Sequence, residues 1–403
     1  MARILALTSR LPFPPTEGHQ LRSWHLLRAL ASRHEVTLLS FRRLDDASDG
    51  SDALREVCRA VHEFPIPSEH SRIALAGALL RSQWGGTPYI ATKYASHDLR
   101  DTLRRLARDA DVVHFDMLPL FAHADCVPAD VPIVLNAHNV EHQLLRKRIE
   151  IETRPWAKRF FAGQAERLRH FEQDACLRAD AVLACSADDA AELRRMAPST
   201  PVTVIPNGVD LDANRPASLP PGAPRQMVFV GQMGWFPNRD GVEWFMRDVL
   251  PRIVARRPDA RFVVVGKSQG LEVPVEMSAN VELAGFVPDL RPTVHDAGIY
   301  VVPLRAGSGT RLKVLEAMAL GKAIVTTRIG SEGIALEEGV SARYADDADG
   351  FAAAVLALME APDEVERLGR EARAQAERHY GWEAIGRDLL EVYARFAPPP
   401  AGA

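Results

Sequence analysis

The chain has 403 residues, 47% hydrophobic and 25% charged, and its 49 Lys and Arg against 53 Asp and Glu leave a formal charge of −4. That length asks for two or three domains, the composition excludes a disordered or collagen-like chain, and the charge gives no global attraction to nucleic acid or anionic lipid. Four cysteines without a CxxC pair, an apolar stretch from Ile4 to Thr8 too short for a signal peptide, and no apolar run near eighteen residues point to a cytoplasmic protein with reduced thiols and no membrane span.

Apolar β-type runs alternate with helical-period stretches along the whole chain, the pattern of an α/β protein with parallel sheets covered on both faces. In the first half, strands are predicted at Ile4–Leu7, Val36–Phe41, Val112–Phe115, Ile133–Ala137, Ala181–Cys185 and Val202–Ile205. After the first of these, Pro14 to Gly18 forms a loop ahead of a helix beginning near Gln20. NAHNVEH, Asn136 to His142, closes a strand; its two histidines lack a Cys or Asp cluster, so no metal is expected.

From His142 to His170, eight cations face three acids, with Trp156, Phe160 and Phe161 interleaved. Such a segment is either a solvated helix face with an aromatic seam or an amphipathic surface for anionic lipid. Ser186 and Asp289 are expected as helix caps. The stretch PNGVDLDANRPASLPPGAP supports neither periodicity and reads as a linker, with a boundary near residue 215.

The second half repeats the alternation at Met227–Val230, Arg261–Val265, Val281–Ala284, Ile299–Val302 and Ala323–Thr326. The expected organisation is a domain over 1–206, a hinge over 207–224, a second domain over 225–380, a C-terminal helix over 381–397 packing back on the first domain, and a flexible tail over 398–403.

The strongest local signal is PLRAGSGTRLKVLEAMALGKAIVTT, Pro303 to Thr327. A strand ends at Pro303, glycines at 307 and 309 free the loop backbone for close approach to a ligand, and a helix opens near Thr310. Its free N–H groups favour an anion, and Arg311 and Lys313 add two cations where helices ordinarily prefer acids. A diphosphate accounts for that arrangement; a Lys313–Glu316 surface pair one turn apart is the alternative.

This stretch resembles the donor-binding segment of retaining GT-B glycosyltransferases, in particular glycosyltransferase family 4. IPNGVD (Ile205 to Asp210) resembles that family's hinge, GFVPDL (Gly285 to Leu290) its base-binding loop, and FVGQMGWFPNRDGVEWF (Phe229 to Phe245) the first strand, loop and helix of its donor domain. The opening from Gly18 to Phe41 resembles its first N-terminal loop and helix, so the likeness covers almost the whole chain. Within the family it is most similar to bacterial sugar transferases associated with exopolysaccharide and PEP-CTERM sorting systems.

The resemblance implies two Rossmann-like domains facing across a cleft, the first on the acceptor side and the second binding a nucleoside diphosphate sugar. It implies transfer of a hexosyl group, with retention, to a glycan, lipid-linked or small-molecule acceptor, without metal, separate cofactor or nucleic acid. Arg311 and Lys313 would hold the diphosphate, Glu316 the ribose hydroxyls, the Val287 backbone the base, and His138 would face the reacting sugar. Gly18 would admit backbone N–H groups to the leaving phosphate, with Arg22 reaching the same region, and Gly231, Gly307, Ser308, Gly309 and Thr310 complete the donor set.

One departure matters: Ser308 stands where the family's first signature glutamate is expected. Without that carboxylate a two-inversion route lacks its nucleophile, and front-face transfer is expected. The same departure keeps a catalytically inactive nucleotide-sugar-binding protein as an alternative, beside a nucleotide-sugar 2-epimerase. Peripheral contact with the inner membrane is expected through residues 142–170.

Overall fold

The computed structural model describes all residues except 16, 44–49, 71–76, 78–81, 83–86, 153, 221–222, 308 and 398–403. Ser308, Thr16 and the expected flexible tail therefore lie outside the described residues. The chain divides into two compact units, the first of residues 1–206 together with the chain from Ile385 onward, the second of Asn207–Ala384.

The first unit is built on a parallel sheet of seven strands: β1 (Arg3–Thr8), β2 (Glu35–Arg42), β3 (Ala60–Pro65), β4 (Val112–Asp116), β5 (Ile133–Ala137), β6 (Ala181–Ala184) and β7 (Val202–Val204), in the order β3-β2-β1-β4-β5-β6-β7. The central strands are buried on both faces, which is why they read as unbroken apolar runs instead of alternating ones. Phe41, Phe115 and Phe121 anchor the core. The register sets Thr8 beside Asp116 and Asp116 beside Asn136, so polar groups gather at the carboxyl ends of β1, β4 and β5.

The second unit repeats the scheme with β8 (Gln226–Val230), β9 (Arg261–Val265), β10 (Val281–Gly285), β11 (Ile299–Val302), β12 (Ala323–Thr326) and β13 (Arg343–Tyr344), all parallel, in the order β10-β9-β8-β11-β12-β13. Phe245 packs on Phe262 at 4.5 Å and on Phe351 at 5.7 Å between ring centroids. In both sheets the strand order reverses beside the first strand, at β1/β4 and β8/β11, where ligands bind in doubly wound sheets.

Two strands escape the sequence pattern: β3 is half exposed at a sheet edge, and β13 has only two residues. The expected linker is also corrected at its start. Val209 is buried, its N–H donates to the Tyr380 carbonyl at 2.7 Å, and it bridges Gly381, so the chain enters the second unit at Asn207 and not near 215. The last helix runs over Trp382–Ala394, inside the expected 381–397. Ser186 Oγ accepts from Asp189 N at 3.1 Å as the expected cap, whereas Leu290 is the N-cap of the Arg291–Asp296 helix and Asp289, one residue earlier, accepts at Oδ1 from Arg291 N at 3.0 Å. The four cysteines are unpaired and buried, and burial pushes Cys58 and Cys185 up to about 11. Among the described residues, no helix is long and apolar enough to cross a membrane.

Candidate active site

In the second unit, the loops after β8, β11 and β12 converge on the start of the Leu312–Ala319 helix. Lys313 in its first turn donates from Nζ to Asn238 Oδ1 at 2.7 Å and stands 4.1 Å from the Phe229 ring centroid. Asn238, 4% exposed, is turned for this by donating Nδ2 to the Gln232 carbonyl at 2.9 Å. A Cβ on Gly231 would come within 2.7 Å of Lys313 Nζ and Asn238 Nδ2, so a side chain there would displace these two side-chain ends. Burial, reinforced by the Arg311 charge, lowers the Lys313 ammonium to about 7. Glu316 is moved the opposite way by its own burial, and the two residues make no ion pair among the described contacts. The surface-pair alternative therefore gives way to two half-buried groups on one helix.

Arg311 is 4% exposed. Its guanidinium donates from Nε to the Ile329 carbonyl at 3.2 Å and pairs from Nη2 with Glu332 Oε2 at 3.3 Å. Gly307, at φ +120°, lies over it: a Cβ there would be 3.1 Å from the guanidinium nitrogens. Gly309 also has positive φ, at +79°. The helix starts at Leu312, two residues later than expected, because Leu312 N donates back to the Thr310 carbonyl at 3.1 Å. Val287, two residues beyond β10, is half-buried against the core, while Phe286 beside it is 70% exposed.

In the first unit, the carboxyl ends of β4 and β5 carry a buried polar array. Asp116 Oδ1 accepts from His138 Nε2 at 2.7 Å and from Asn136 Nδ2 at 2.6 Å, while Ser23 Oγ donates to Oδ2. Burial alone would raise this carboxyl, but His138 and His114 hold it well below the usual carboxylate range. Met117, next in the chain, has φ +97°, a strained value for a residue with a side chain, placed where such strain commonly marks function. Gly18 is the exposed first residue of the Gly18–Ala31 helix. Arg22 on that helix, expected near the leaving phosphate, is 1% exposed and donates to Asn136 Oδ1 at 2.8 Å and to the Pro206 carbonyl at 3.0 Å. His142 likewise turns inward, meeting Glu172 Oε2 through Nδ1 at 2.6 Å.

The structure thus gathers Gly231 with Lys313, Gly307 with Arg311, and Arg22 with His138 through Asn136 and Asp116. Sequence reasoning missed Asn238, Glu332, Asp116, Asn136 as a hub, and Ser23. Asp116 and Asn238 each had a signal, a polar residue closing an apolar strand and a Pro-Asn start to a helix. Glu332 had none, because its partner lies 21 residues away.

Two doubly wound parallel units, each with charged and polar side chains at the carboxyl ends of the strands beside the order reversal, define an α/β protein of the kind that binds its ligands at those strand ends. Comparison narrows this: residues 17–213 match the model described as Glycosyltransferase Family 4, and residues 224–361 that described as Glycosyl transferases group 1. Both matches are to glycosyltransferase domains, and together they support a GT-B glycosyltransferase.

Among curated relatives, a phosphatidyl-myo-inositol mannosyltransferase of Mycolicibacterium smegmatis is 31% identical over 200 residues, 47% of this chain and half of that protein. An alpha-maltose-1-phosphate synthase of Mycobacterium tuberculosis is 28% identical over 345 residues, 77% of this chain and 85% of that one. Among solved structures, sucrose-phosphate synthase from Thermosynechococcus elongatus superposes with a TM-score of 0.65 at 18% identity over 98% of each chain. Anabaena HepE in complex with UDP does so at 0.66 and 14% identity over 98% of this chain and all of that one. These likenesses show the fold.

Proposed function

We propose that the chain transfers a hexosyl group from a nucleoside diphosphate sugar to a hydroxyl of a glycan, lipid-linked or small-molecule acceptor, with retention of anomeric configuration. The observation that carries this reading is Lys313 in the first turn of the Leu312–Ala319 helix: burial lowers its ammonium to about 7, and its Nζ meets the Asn238 amide and the Phe229 ring beside Gly231. A bound phosphate would restore its charge. The relatives named as a mannosyltransferase and a maltose-1-phosphate synthase support sugar transfer.

In the reaction, the bond from the anomeric carbon to the phosphate oxygen breaks while the acceptor oxygen bonds to that carbon on the same face. The acceptor proton passes to the departing phosphate oxygen. Lys313, Arg311 and the N-terminal N–H groups of the Leu312–Ala319 helix stabilise the growing negative charge. Glu316, with its carboxyl at the same helix, accepts from ribose hydroxyls, the Val287 backbone meets the base, and His138 faces the reacting sugar. A donor-binding protein without transferase activity is the second reading, favoured by Ser308.

The test is a thermal-shift screen against UDP, GDP, ADP, TDP and CDP and their sugars, repeated on Lys313→Ala and Arg311→Ala. Ligand at 100 times its Kd adds about 2.7 kcal/mol, so one nucleotide should raise the midpoint of the unchanged chain and not of the variants. No shift with any nucleotide overturns the reading; a shift without transfer selects the second.

The basic segment supports a peripheral position at the cytoplasmic face of the inner membrane. Its helices, Glu141–Ile151 and Pro155–Arg178, pack together. Around the connection between them, Arg146, Lys147, Arg148, Arg154, Lys158 and Arg159 are exposed, with Trp156 at 70%. Vesicles containing anionic lipid should float the protein and neutral ones should not; equal behaviour on both removes this contact.

A further inference from the structure

The Asp116 array continues inward, away from His138, and ends on the last helix of the chain. His114 lies two residues before Asp116 on β4, on the same face, with Nε2 3.9 Å from Asp116 Oδ1. Its other ring nitrogen, Nδ1, is hydrogen-bonded to the hydroxyl of Tyr393. All three side chains are buried: His114 and Asp116 at 2% and Tyr393 fully. The Trp382–Ala394 helix is held at this place by close packing, since a Cβ on Gly386 would touch the Ala29 side chain at 3.1 Å.

The donors and acceptors run in one direction. Tyr393 is kept as a phenol by burial, then by the Asp116 charge, and so has an O–H to donate to His114 Nδ1. A neutral imidazole accepting at Nδ1 carries its proton on Nε2, the nitrogen that faces Asp116. Asp116, ionised, only accepts, so His138 also carries a proton on Nε2, 2.7 Å away, and its Nδ1 is left to the rest of the site. His19, on the Gly18–Ala31 helix, is a further titratable group close enough to His138 and Asp116 to feel both.

We propose that Tyr393, acting through His114 and Asp116, is a positioning residue that fixes the tautomer and orientation of His138, so that the C-terminal helix takes part in the site of the first unit. The effect on catalysis rests on the transferase reading above; the effect on His138 does not. A buried carboxylate that holds an imidazole in one tautomer controls the ring without touching the reacting atoms, as the aspartate does in hydrolase triads.

The experiment uses the full chain labelled with 15N-histidine, with His138 assigned by the resonance lost in His138→Gln. In the unchanged protein, His138 should show the Nε2-protonated pattern. Tyr393→Phe, which keeps the ring and removes the hydroxyl, should move the His114 and His138 resonances together toward mixed tautomers. It should also lower kcat about tenfold with donor KM within about twofold. A His138 pattern unmoved in Tyr393→Phe overturns the proposal, even if the melting temperature or the activity falls. Should Tyr393→Phe fail to fold, Asp116→Asn serves instead: loss of the Nε2-protonated pattern supports the proposal and its survival overturns it. Because the spectra are read on the free protein, lack of transferase activity in the unchanged chain counts against the functional reading alone.

Discussion

Lys313 is the side chain on which local structure and function pull in opposite directions. Its folded value of about 7 lies below the ordinary 10.5, so the folded chain holds that proton less tightly than the unfolded one. Unfolding then takes up a proton between those two values, and stability rises with pH across that window. Denaturant unfolding of Lys313→Met should lack this rise, while the variant loses nucleotide binding and roughly 10²- to 10³-fold in kcat. Asp116 runs the other way: its folded value is depressed, so its stabilisation is present above the ordinary carboxylate range and fades as pH falls below it. Acid unfolding of Asp116→Asn should begin from a lower stability and show a shallower decline.

Elements meet through backbone contacts that tolerate no side chain. Gly369, on the Pro362–His379 helix, faces the turn after the Leu312–Ala319 helix, where a Cβ would lie 2.1 Å from the Gly321 carbonyl oxygen. Gly369→Ala should cost about 1–3 kcal/mol by forcing that helix away, measured as a lower denaturation midpoint. The basic helical hairpin is pinned by Glu172, which accepts from the N–H groups of Glu141 at 2.8 Å and His142 at 3.3 Å as well as from the His142 ring. Glu172→Ala leaves these donors unpaired in a buried place and should cost about 1–3 kcal/mol. Hydrogen exchange should then rise first in residues 141–151.

At the scale of the whole molecule, the chain from Ile385 onward belongs to the unit formed by the first 206 residues, although the second unit separates them in sequence. Ile385, Leu389, Val392 and Tyr393 bury their side chains there, each worth about 1.5–3 kcal/mol. Truncation after Ala384 should therefore lower the melting transition of the first unit by several kcal/mol while leaving the second largely unchanged. Scanning calorimetry would show this as a wider separation of two transitions. A single transition shifted as one would contradict the division of the chain.

The central strands of both sheets and the glycine-rich turn before Arg311 were legible from the amino-acid sequence, because central parallel strands are long apolar runs and a strand-to-helix turn rich in glycine has few other uses, whereas the edge strands β3 and β13 were not. The pairing of cations at the N-terminal end of one helix was equally plain, being a local violation of helix electrostatics. What needed the tertiary structure were contacts between residues far apart in the chain. Register set Asp116 beside Asn136, His138 reached the same carboxylate from just past the strand end, and Arg22 met Asn136 across 114 residues. Asn238 became the partner of Lys313 across 75 residues, and Tyr393 reached His114 across 279. Periodicity and capping report what a segment does with its neighbours in sequence. Side-chain charge and orientation depend on burial and on partners from other strands, which exist only once the sheets have formed.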